Sequence, residues 1–209
     1  MKRCIIFCGG GFDRPAQPII PGDLVIAADK GLQYAQQLGI RPDIILGDFD
    51  SLGYVPDGAQ VFPVEKDDTD AMLAVRAGLS ALCREFFLYG ALDGDRVDHT
   101  VANFQLLAFL ADRGARGTLI GLTQCATVIK DGTITFPGEF EGTLSVFCLG
   151  TDARGVTIRG AKYCVEQVAL TSTFPLGVSN SFAGREVEIS VEKGRLLVIY
   201  DRQKAAEVQ

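Results

Sequence analysis

Apolar positions in the first half of the chain alternate between short continuous runs and helical spacings. The continuous runs predict five buried strands, at residues 4–8, 24–28, 43–46, 85–89 and 118–122. Apolar residues three or four apart predict three helices between them, at residues 31–38, 69–83 and 99–111, with Asp68 or Thr69 capping the second. This alternation is typical of a mostly parallel sheet flanked by helices, which binds ligands at the carboxyl ends of its strands.

The pattern changes near Cys125, and no helical spacing follows as far as Tyr200. Short apolar stretches separated by turns predict strands at residues 128–130, 133–136, 142–148, 155–158, 187–191 and 196–200. Asp131-Gly132 and Lys193-Gly194 stand between consecutive strands, where such dipeptides favour hairpins. The sequence therefore predicts an α/β domain at residues 1–124 and an antiparallel β-sandwich domain at residues 125–209. Because no Pro- or Ser-rich linker separates them, we expect the two domains to pack together.

Composition and charge exclude several classes of protein. Of 209 residues, 47% are apolar and 22% are charged, which is typical of a folded domain, and no apolar run is long enough for a membrane span. A formal charge of −6 without a basic stripe argues against a nucleic-acid partner. Six cysteines without a C-x-x-C pair, together with a single His, exclude the usual zinc sites. With no secretory signal, the cysteines are expected to be reduced, buried thiols of a cytoplasmic protein.

Ten of the 17 Asp residues lie between Asp43 and Asp98, in and around three acidic segments. The first segment is Gly47-Asp48-Phe49-Asp50-Ser51, directly after a predicted strand. In extended chain, Asp48 and Asp50 point to the same side, where their mutual repulsion favours a shared cation. Mg²⁺ suits this pair because it takes hard oxygen ligands from one or two carboxylates and from substrate phosphates. A polar turn that uses Asp as a cap is the alternative interpretation.

The second and third acidic segments open predicted helices. Residues 66–70 carry three Asp, of which one or two complement a helix N-terminus and a third suggests a metal ligand, while Lys66 could meet a phosphate. Residues 90–99 connect a strand to a helix, which is a natural phosphate site, and Arg96 can bind phosphate oxygens there. Asp98 could bind a metal, orient a hydroxyl group or cap the helix.

The three acidic segments follow strands of one predicted sheet, so their side chains are expected to converge at one edge. Gly9-Gly10-Gly11 follows the first strand but matches neither the dinucleotide-binding nor the Walker A pattern, so it adds little by itself. The convergence predicts a magnesium–nucleotide site, in which the metal offsets the negative charge of both the protein and the ligand.

Six segments in a fixed order extend this pattern over nearly the whole chain. They are A-D-K-G (28–31), P-D-I-I-L-G-D-F-D-S (42–51), E-K-D-D-T-D (65–70), G-A-L-D-G-D-R-V-D-H-T-V-A-N (90–103), G-A-K-Y (160–163) and V-S-N-S-F (178–182). This set resembles the thiamine pyrophosphokinase family. The resemblance implies transfer of a pyrophosphoryl group from ATP to the hydroxyl of thiamine with Mg²⁺, giving thiamine diphosphate and AMP. It also implies an α/β catalytic domain, a thiamine-binding β-sandwich, and a homodimer with active sites between the subunits.

The resemblance also implies a role for individual residues, carried over by position. The implied metal ligands are Asp48, Asp50 and Asp70, and Asp98 would act close to the reacting groups. The implied nucleotide contacts are Asp29, Lys66, Thr69, Arg96 and Asn103. The implied thiamine contacts are Ser179, Asn180 and Tyr163, the last by stacking on the ring.

The chain departs from the family pattern at two positions. Asp95 replaces the second glycine of G-G-R-x-D-H, and Lys30 stands in a motif that usually reads A-D-G-G, so each position adds a side chain near the substrate. Two other functions use the same residues: a magnesium-dependent nucleotide pyrophosphohydrolase and a non-catalytic thiamine or nucleotide sensor. The dense Asp set argues against the sensor, because a sensor does not need three converging carboxylates.

Overall fold

The structure, a computed structural model, describes residues 1–11, 15, 17–50, 52–63 and 67–203. Six strands come first: β1 (Arg3–Phe7), β2 (Leu24–Ala28), β3 (Ile44–Gly47), β4 (Gln60–Val61), β5 (Glu85–Tyr89) and β6 (Arg116–Ile120). Three helices lie between them: α1 (Gly31–Gln37), α2 (Asp70–Ser80) and α3 (Val97–Ala111). The strands pair in parallel in the order β6-β5-β1-β2-β3-β4. The mostly parallel sheet flanked by helices is therefore confirmed.

Both faces of this sheet are covered, as the continuous apolar runs of its strands require. On one face, Ile6 and Phe86 belong to a core that includes residues of α2 and α3. On the other face, Ile5 and Phe87 belong to a smaller core that includes Ala35 of α1. Alternate residues of one strand therefore serve opposite faces, and the carboxyl ends of the strands stay at the edge of the sheet.

Strands dominate the second part of the chain, in two sheets. They are β7 (Gln124–Lys130), β8 (Thr133–Phe136), β9 (Thr143–Cys148), β10 (Ala153–Arg159), β11 (Val165–Leu170), β12 (Asn180–Ser181), β13 (Val187–Ser190) and β14 (Arg195–Asp201). One sheet has the order β11-β10-β13-β8, and the other strands extend the parallel sheet to ten strands, β12-β9-β14-β7-β6-β5-β1-β2-β3-β4. A shared core that includes Val156, Ile189 and Val198 confirms the antiparallel β-sandwich.

Both predicted hairpins are wrong. Asp131-Gly132 connects β7 of the larger sheet to β8 of the smaller one, and Lys193-Gly194 connects β13 back to β14. Strand β7 pairs with β14, and β8 pairs with β13. The dipeptides specify a local reversal of the chain, but burial of the apolar inner faces decides in which sheet the next strand lies.

Three short or exposed strands escaped the sequence patterns. β4 and β12 have two residues each, and β11 has only one buried residue, so none shows an apolar run. The predicted division at residues 124 and 125 falls at the start of β7, which pairs antiparallel with β6. The larger sheet is thus continuous across this point, and the division into two domains stays a prediction.

All six cysteines are free, but they are not all buried. Cys164 is exposed and Cys148 is half-buried, so for these two the expectation of burial is wrong. Cys164 lies directly before β11, in which only one of six residues is buried. Among the described residues, no helix is both long and apolar enough to cross a membrane.

Candidate functional site

Three carboxylates lie together at the carboxyl ends of two neighbouring parallel strands. Asp29 follows β2, Asp48 and Asp50 follow β3, and one oxygen of each side chain lies within 4.8 Å of the others. Asp29 and Asp48 are half-buried, whereas Asp50 is exposed. Such a group of carboxylate oxygens fits a divalent cation that prefers hard ligands, Mg²⁺ among them. We call these three residues the acidic cluster.

Gly47 allows the two strand ends to approach each other. The amide of Asp29 donates a hydrogen bond of 2.9 Å to the carbonyl of Leu46, directly before this glycine. A Cβ atom at Gly47 would lie 3.1 Å from the Asp29 nitrogen, and the φ of 151° at Gly47 lies in the region that favours glycine. Asp29 itself has a φ of 48°, an uncommon conformation for a residue with a side chain. The acidic cluster therefore depends on unusual backbone at two adjoining positions.

A turn, and not extended chain, brings Asp48 and Asp50 together. Phe49 between them has a φ of 59°, and its side chain is only 2% exposed. The amide of Asp50 donates a hydrogen bond of 3.2 Å to Oδ1 of Asp48, as in an Asx turn. The two carboxylates are close as expected, but the expected geometry is wrong, because burial of Phe49 reverses the chain at this point.

Asp70 lies in the first turn of α2 and is not part of the acidic cluster. Burial, and next the negative charge of Asp70, raise the pKa of the Cys8 thiol to about 12, so Asp70 lies near the chain directly after β1. Thr69 is the N-cap of α2, since its Oγ1 accepts a hydrogen bond from the amide of Met72. Lys66 and Ser51 lie outside the described residues.

Arg96 and Asp98 form an ion pair where α3 begins. Nη2 of Arg96 lies 2.5 Å from Oδ2 of Asp98, and Nε lies 3.3 Å from Oδ1, so the contact is bidentate. Both side chains are about two-thirds exposed, at 66% and 64%. The hydrogen bond from Arg96 lowers the pKa of Asp98, and the same bond raises the pKa of Arg96. A charged guanidinium is therefore held at the surface beside an ionised carboxylate.

Asn103 contacts the loop between β5 and α3. Its side chain is buried, and its Nδ2 donates a hydrogen bond of 2.7 Å to the carbonyl of Ala91. This loop also meets the glycine-rich segment after β1, because the amide of Gly10 donates to the carbonyl of Gly90 at 2.9 Å. Asn103 thus positions the loop that leads to Arg96, a role that its place in the motif does not reveal.

The predicted thiamine residues lie together in the second part of the chain. Asn180 is buried, and its side chain binds both backbone groups of Tyr163, with Oδ1 accepting from the amide at 2.9 Å and Nδ2 donating to the carbonyl at 2.7 Å. The ring of Tyr163 is exposed, and so is Ser179, whose amide donates to Oγ of Ser145. Asn180 therefore fixes the backbone that presents the Tyr163 ring.

Within one chain, these residues are far from the acidic cluster. Asn180 lies in β12 at one edge of the larger sheet, whereas Asp48 follows β3 near the other edge. Eight strand-to-strand steps separate β12 from β3, which corresponds to a distance on the order of 40 Å along the sheet. The predicted site residues thus form two separate groups.

Sequence reasoning missed the acidic cluster's exact membership. Asp29 was expected to contact the nucleotide. However, Asp29 comes directly after the predicted strand at residues 24–28, just as Asp48 comes directly after the next strand. That equivalence was a usable signal for a shared cation site. The turn conformation of Phe49 had no comparable signal, because an apolar residue between two Asp is equally compatible with extended chain.

Comparisons with known proteins match both parts of the chain. Two family models match the chain: thiamin pyrophosphokinase, catalytic domain, at residues 19–118, and thiamin pyrophosphokinase, vitamin B1 binding domain, at residues 132–196. The chain is 27% identical to the thiamine pyrophosphokinase of Bacillus subtilis (strain 168) over 185 residues. The aligned region covers 84% of this chain and 86% of that protein.

Two solved structures extend the comparison. The crystal structure of thiamine pyrophosphokinase from Bacillus subtilis has a TM-score of 0.83 at 25% identity and covers 97% of this chain and 100% of that one. The structure of thiamin pyrophosphokinase from Geobacillus thermodenitrificans has a TM-score of 0.78 at 25% identity, with coverage of 98% and 99%.

The fold and the site define an α/β enzyme with an acidic cluster at the carboxyl ends of parallel strands and a β-sandwich beside it. Both parts of this architecture match models of the same family, each in its own half of the chain. The chain belongs to the thiamin pyrophosphokinase family.

Proposed function

We propose that this enzyme transfers a pyrophosphoryl group from ATP to the hydroxyl of thiamine, giving thiamine diphosphate and AMP. The observation that carries the proposal is the acidic cluster, whose three carboxylate oxygens lie within 4.8 Å of one another in a member of this family. A triphosphate repels such a cluster unless a divalent cation lies between them. The same geometry favours a reaction that needs positioning and neutralisation of charge.

Mg²⁺ fits the donor set, because all three side chains offer hard oxygen ligands. Asp29, Asp48 and Asp50 would hold the ion, and Asp70 stays a predicted ligand from the first turn of α2. When bound, the ion would neutralise charge on the phosphates. The half-burial of Asp29 and Asp48 limits competition from water for their oxygens.

The reaction forms a bond from the hydroxyl oxygen of thiamine to the β-phosphorus of ATP and breaks the bond from that phosphorus to the bridging oxygen of AMP. The hydroxyl loses its proton and AMP leaves with the bridging oxygen. Arg96 would bind phosphate oxygens, since a guanidinium matches them with two parallel donors. Asp98 orients the hydroxyl and does not act as a strong base, because Arg96 lowers its pKa.

We propose a homodimer with each active site between subunits. Thiamine cannot bridge a distance on the order of 40 Å along the sheet of one chain. A second copy must therefore bring Tyr163, Ser179 and Asn180, which we call the Tyr163 group, to the acidic cluster. Exposed apolar side chains support an interface there, because Phe174, Leu176 and Val178 in the segment before Ser179 are exposed, as Tyr163 is. In the complete site, Tyr163 would stack on the thiamine ring and Ser179 would bind its polar groups.

A complementation experiment tests the shared site. Asp50→Asn and Tyr163→Ala variants are mixed, unfolded and refolded together, and activity is measured at thiamine below the wild-type KM, where each variant alone has low activity. About half of the resulting dimers are mixed and contain one intact site, so about one quarter of the wild-type activity returns. Each variant refolded alone is the control. A mixture no more active than its components would place both groups of residues in the same subunit's site and refute the shared site.

A mass-spectrometric assay tests the reaction itself. The enzyme is incubated with ATP, Mg²⁺ and thiamine, and we expect thiamine diphosphate and AMP in equal amounts. Incubation without thiamine is the control, since a nucleotide pyrophosphohydrolase would release AMP at its full rate there. Binding of both ligands without any product would instead identify a sensor.

Consistent with the free cysteines, we place the enzyme in the cytoplasm, a reducing compartment.

A further inference from the structure

The loop between β5 and α3, residues 90–96, is bonded to three other parts of the chain. Within it, the carbonyls of residues 90–93 accept hydrogen bonds from the amide of Gly10, from Nδ2 of Asn103, from Oγ1 of Thr100 and from the amide of Gly11. These bonds fix the loop to the segment after β1 and to α3, and the amide of Gly90 donates a hydrogen bond of 3.4 Å to the carbonyl of Ile120 at the end of β6. Arg96, at the end of the loop, is the N-cap residue of α3.

Asp93 adds a contact that the backbone does not provide. Its Oδ2 accepts a hydrogen bond from the amide of Leu122, in the turn between β6 and β7. Its own carbonyl accepts from the amide of Gly11 at 3.0 Å. One residue therefore joins the turns that follow β1, β5 and β6, which lie at the same edge of the parallel sheet.

The turn after β6 is shaped to receive this carboxylate. A Cβ atom at Gly121 would overlap Oδ2 of Asp93, so only a glycine leaves room for the carboxylate in this position. The carbonyl of Gly121 also accepts a hydrogen bond of 2.9 Å from Nη1 of Arg202. The turn is thus anchored on its other side, and Asp93 binds a fixed support.

We infer that Asp93 is a positioning residue for the proposed reaction, with Gly121 as its steric partner. By fixing residues 90–96 against the turn after β6, it sets the place of Arg96 and Asp98 relative to the acidic cluster. The inference rests on the proposed function, since a misplaced Arg96 affects the rate only where Arg96 binds the phosphates. A displacement of about 1 Å at such a group can cost about a hundredfold in rate.

Four variants separate the carboxylate contact from a general loss of structure. For Asp93→Ala we expect kcat to fall about 10- to 100-fold, with the KM for thiamine within about twofold of wild type. Asp93→Asn keeps a carbonyl oxygen as acceptor and retains most of the activity. The kcat of Gly121→Ala falls as far as that of Asp93→Ala, because the new methyl group displaces the carboxylate. The kcat of the double variant is close to that of Asp93→Ala, because the overlap with the carboxylate is gone and only a contact of 3.2 Å with the carbonyl of Gln124 remains.

Asp131→Ala is the matched control for stability. Oδ1 of Asp131 accepts a hydrogen bond of 2.8 Å from the amide of Gly194, so this variant removes a carboxylate–amide contact in turns away from the acidic cluster. We expect its kcat to equal that of wild type. A kcat for Asp93→Ala that matches this control would overturn the inference, and so would a loss of activity that follows only the loss of thermal stability.

Amide hydrogen exchange at Leu122 provides a readout that does not depend on activity. We expect faster exchange at Leu122 in Asp93→Ala and exchange close to wild type in Asp93→Asn. Unchanged exchange in Asp93→Ala would refute the contact itself. If the wild-type enzyme made no thiamine diphosphate while exchange behaved as expected, the proposed function would fail and the contact would stand.

Discussion

Removing one carboxylate from the acidic cluster should stabilise the metal-free protein and strongly reduce its stabilisation by Mg²⁺. In Asp50→Asn the side chain keeps its size and loses its charge. The hydrogen bond from the Asp50 amide to Asp48 involves only the backbone of residue 50 and is retained. Since Asp50 is exposed, its repulsion by the other two carboxylates is best described with the dielectric constant of water.

The size of the effect follows from the spacing. Two unit charges 4.8 Å apart repel each other by about 0.9 kcal/mol in water. Asp50 has two such neighbours, and physiological salt reduces the interaction by roughly half, so the variant gains about 1 kcal/mol. For a chain of this length, that gain corresponds to a rise in Tm of about 2–4 °C.

Thermal unfolding with EDTA and with Mg²⁺ measures both parts of the prediction. In EDTA, Asp50→Asn should unfold at a higher temperature than wild type, with a smaller difference at high salt because salt screens the repulsion. With Mg²⁺, wild type should gain stability and the variant should gain much less. Asp57→Asn, an exposed Asp outside the cluster, is the matched control and should change neither value. A lower Tm for Asp50→Asn in EDTA, or an undiminished gain with Mg²⁺, would refute the reasoning.

Other predictions address the remaining groups. Tyr163→Ala should raise the KM for thiamine roughly tenfold and Tyr163→Phe about twofold or less, since the ring makes the contact; an equal effect on the KM for ATP would contradict this. In steady-state kinetics, Ser179→Ala should raise the KM for thiamine more than the KM for ATP. An unchanged KM for thiamine would show that thiamine binds elsewhere. Arg96→Gln should raise the pKa of Asp98 toward its usual value in an NMR titration, because the hydrogen bond that lowers this pKa is lost. In wild type, the pair stabilises the folded protein fully at pH values above the pKa of Asp98 in the unfolded chain. This stabilisation is lost as the pH falls through the lower pKa of Asp98 in the folded protein. Asn180→Ala should reduce the free energy of unfolding in urea by about 2–3 kcal/mol, since it removes the partner of both backbone groups of Tyr163; a change below the scatter of repeat measurements would rule out that contact.

Strand positions were predictable where burial on both faces imposed a continuous apolar run. β2 and β5 have the predicted bounds, and α2 begins at Asp70 because Thr69 caps it. The pairing of β8 was not predictable, because Asp131-Gly132 specifies a turn but says nothing about which sheet lies opposite. Local sequence determines the conformation of a few residues, whereas strand partners depend on where apolar surface can be covered.

For the site, the sequence by itself determined which chemistry was available: carboxylates after successive strands and an Arg before a helix. It also determined the family, because six motifs in a fixed order are more specific than any one of them. Only the tertiary structure decided that Asp29 joins Asp48 and Asp50, that Phe49 turns the chain between the last two, and that the Tyr163 group lies near the far edge of the sheet. The physical reason is that distances between side chains follow from backbone turns and strand order, and burial of apolar residues across the whole chain fixes both.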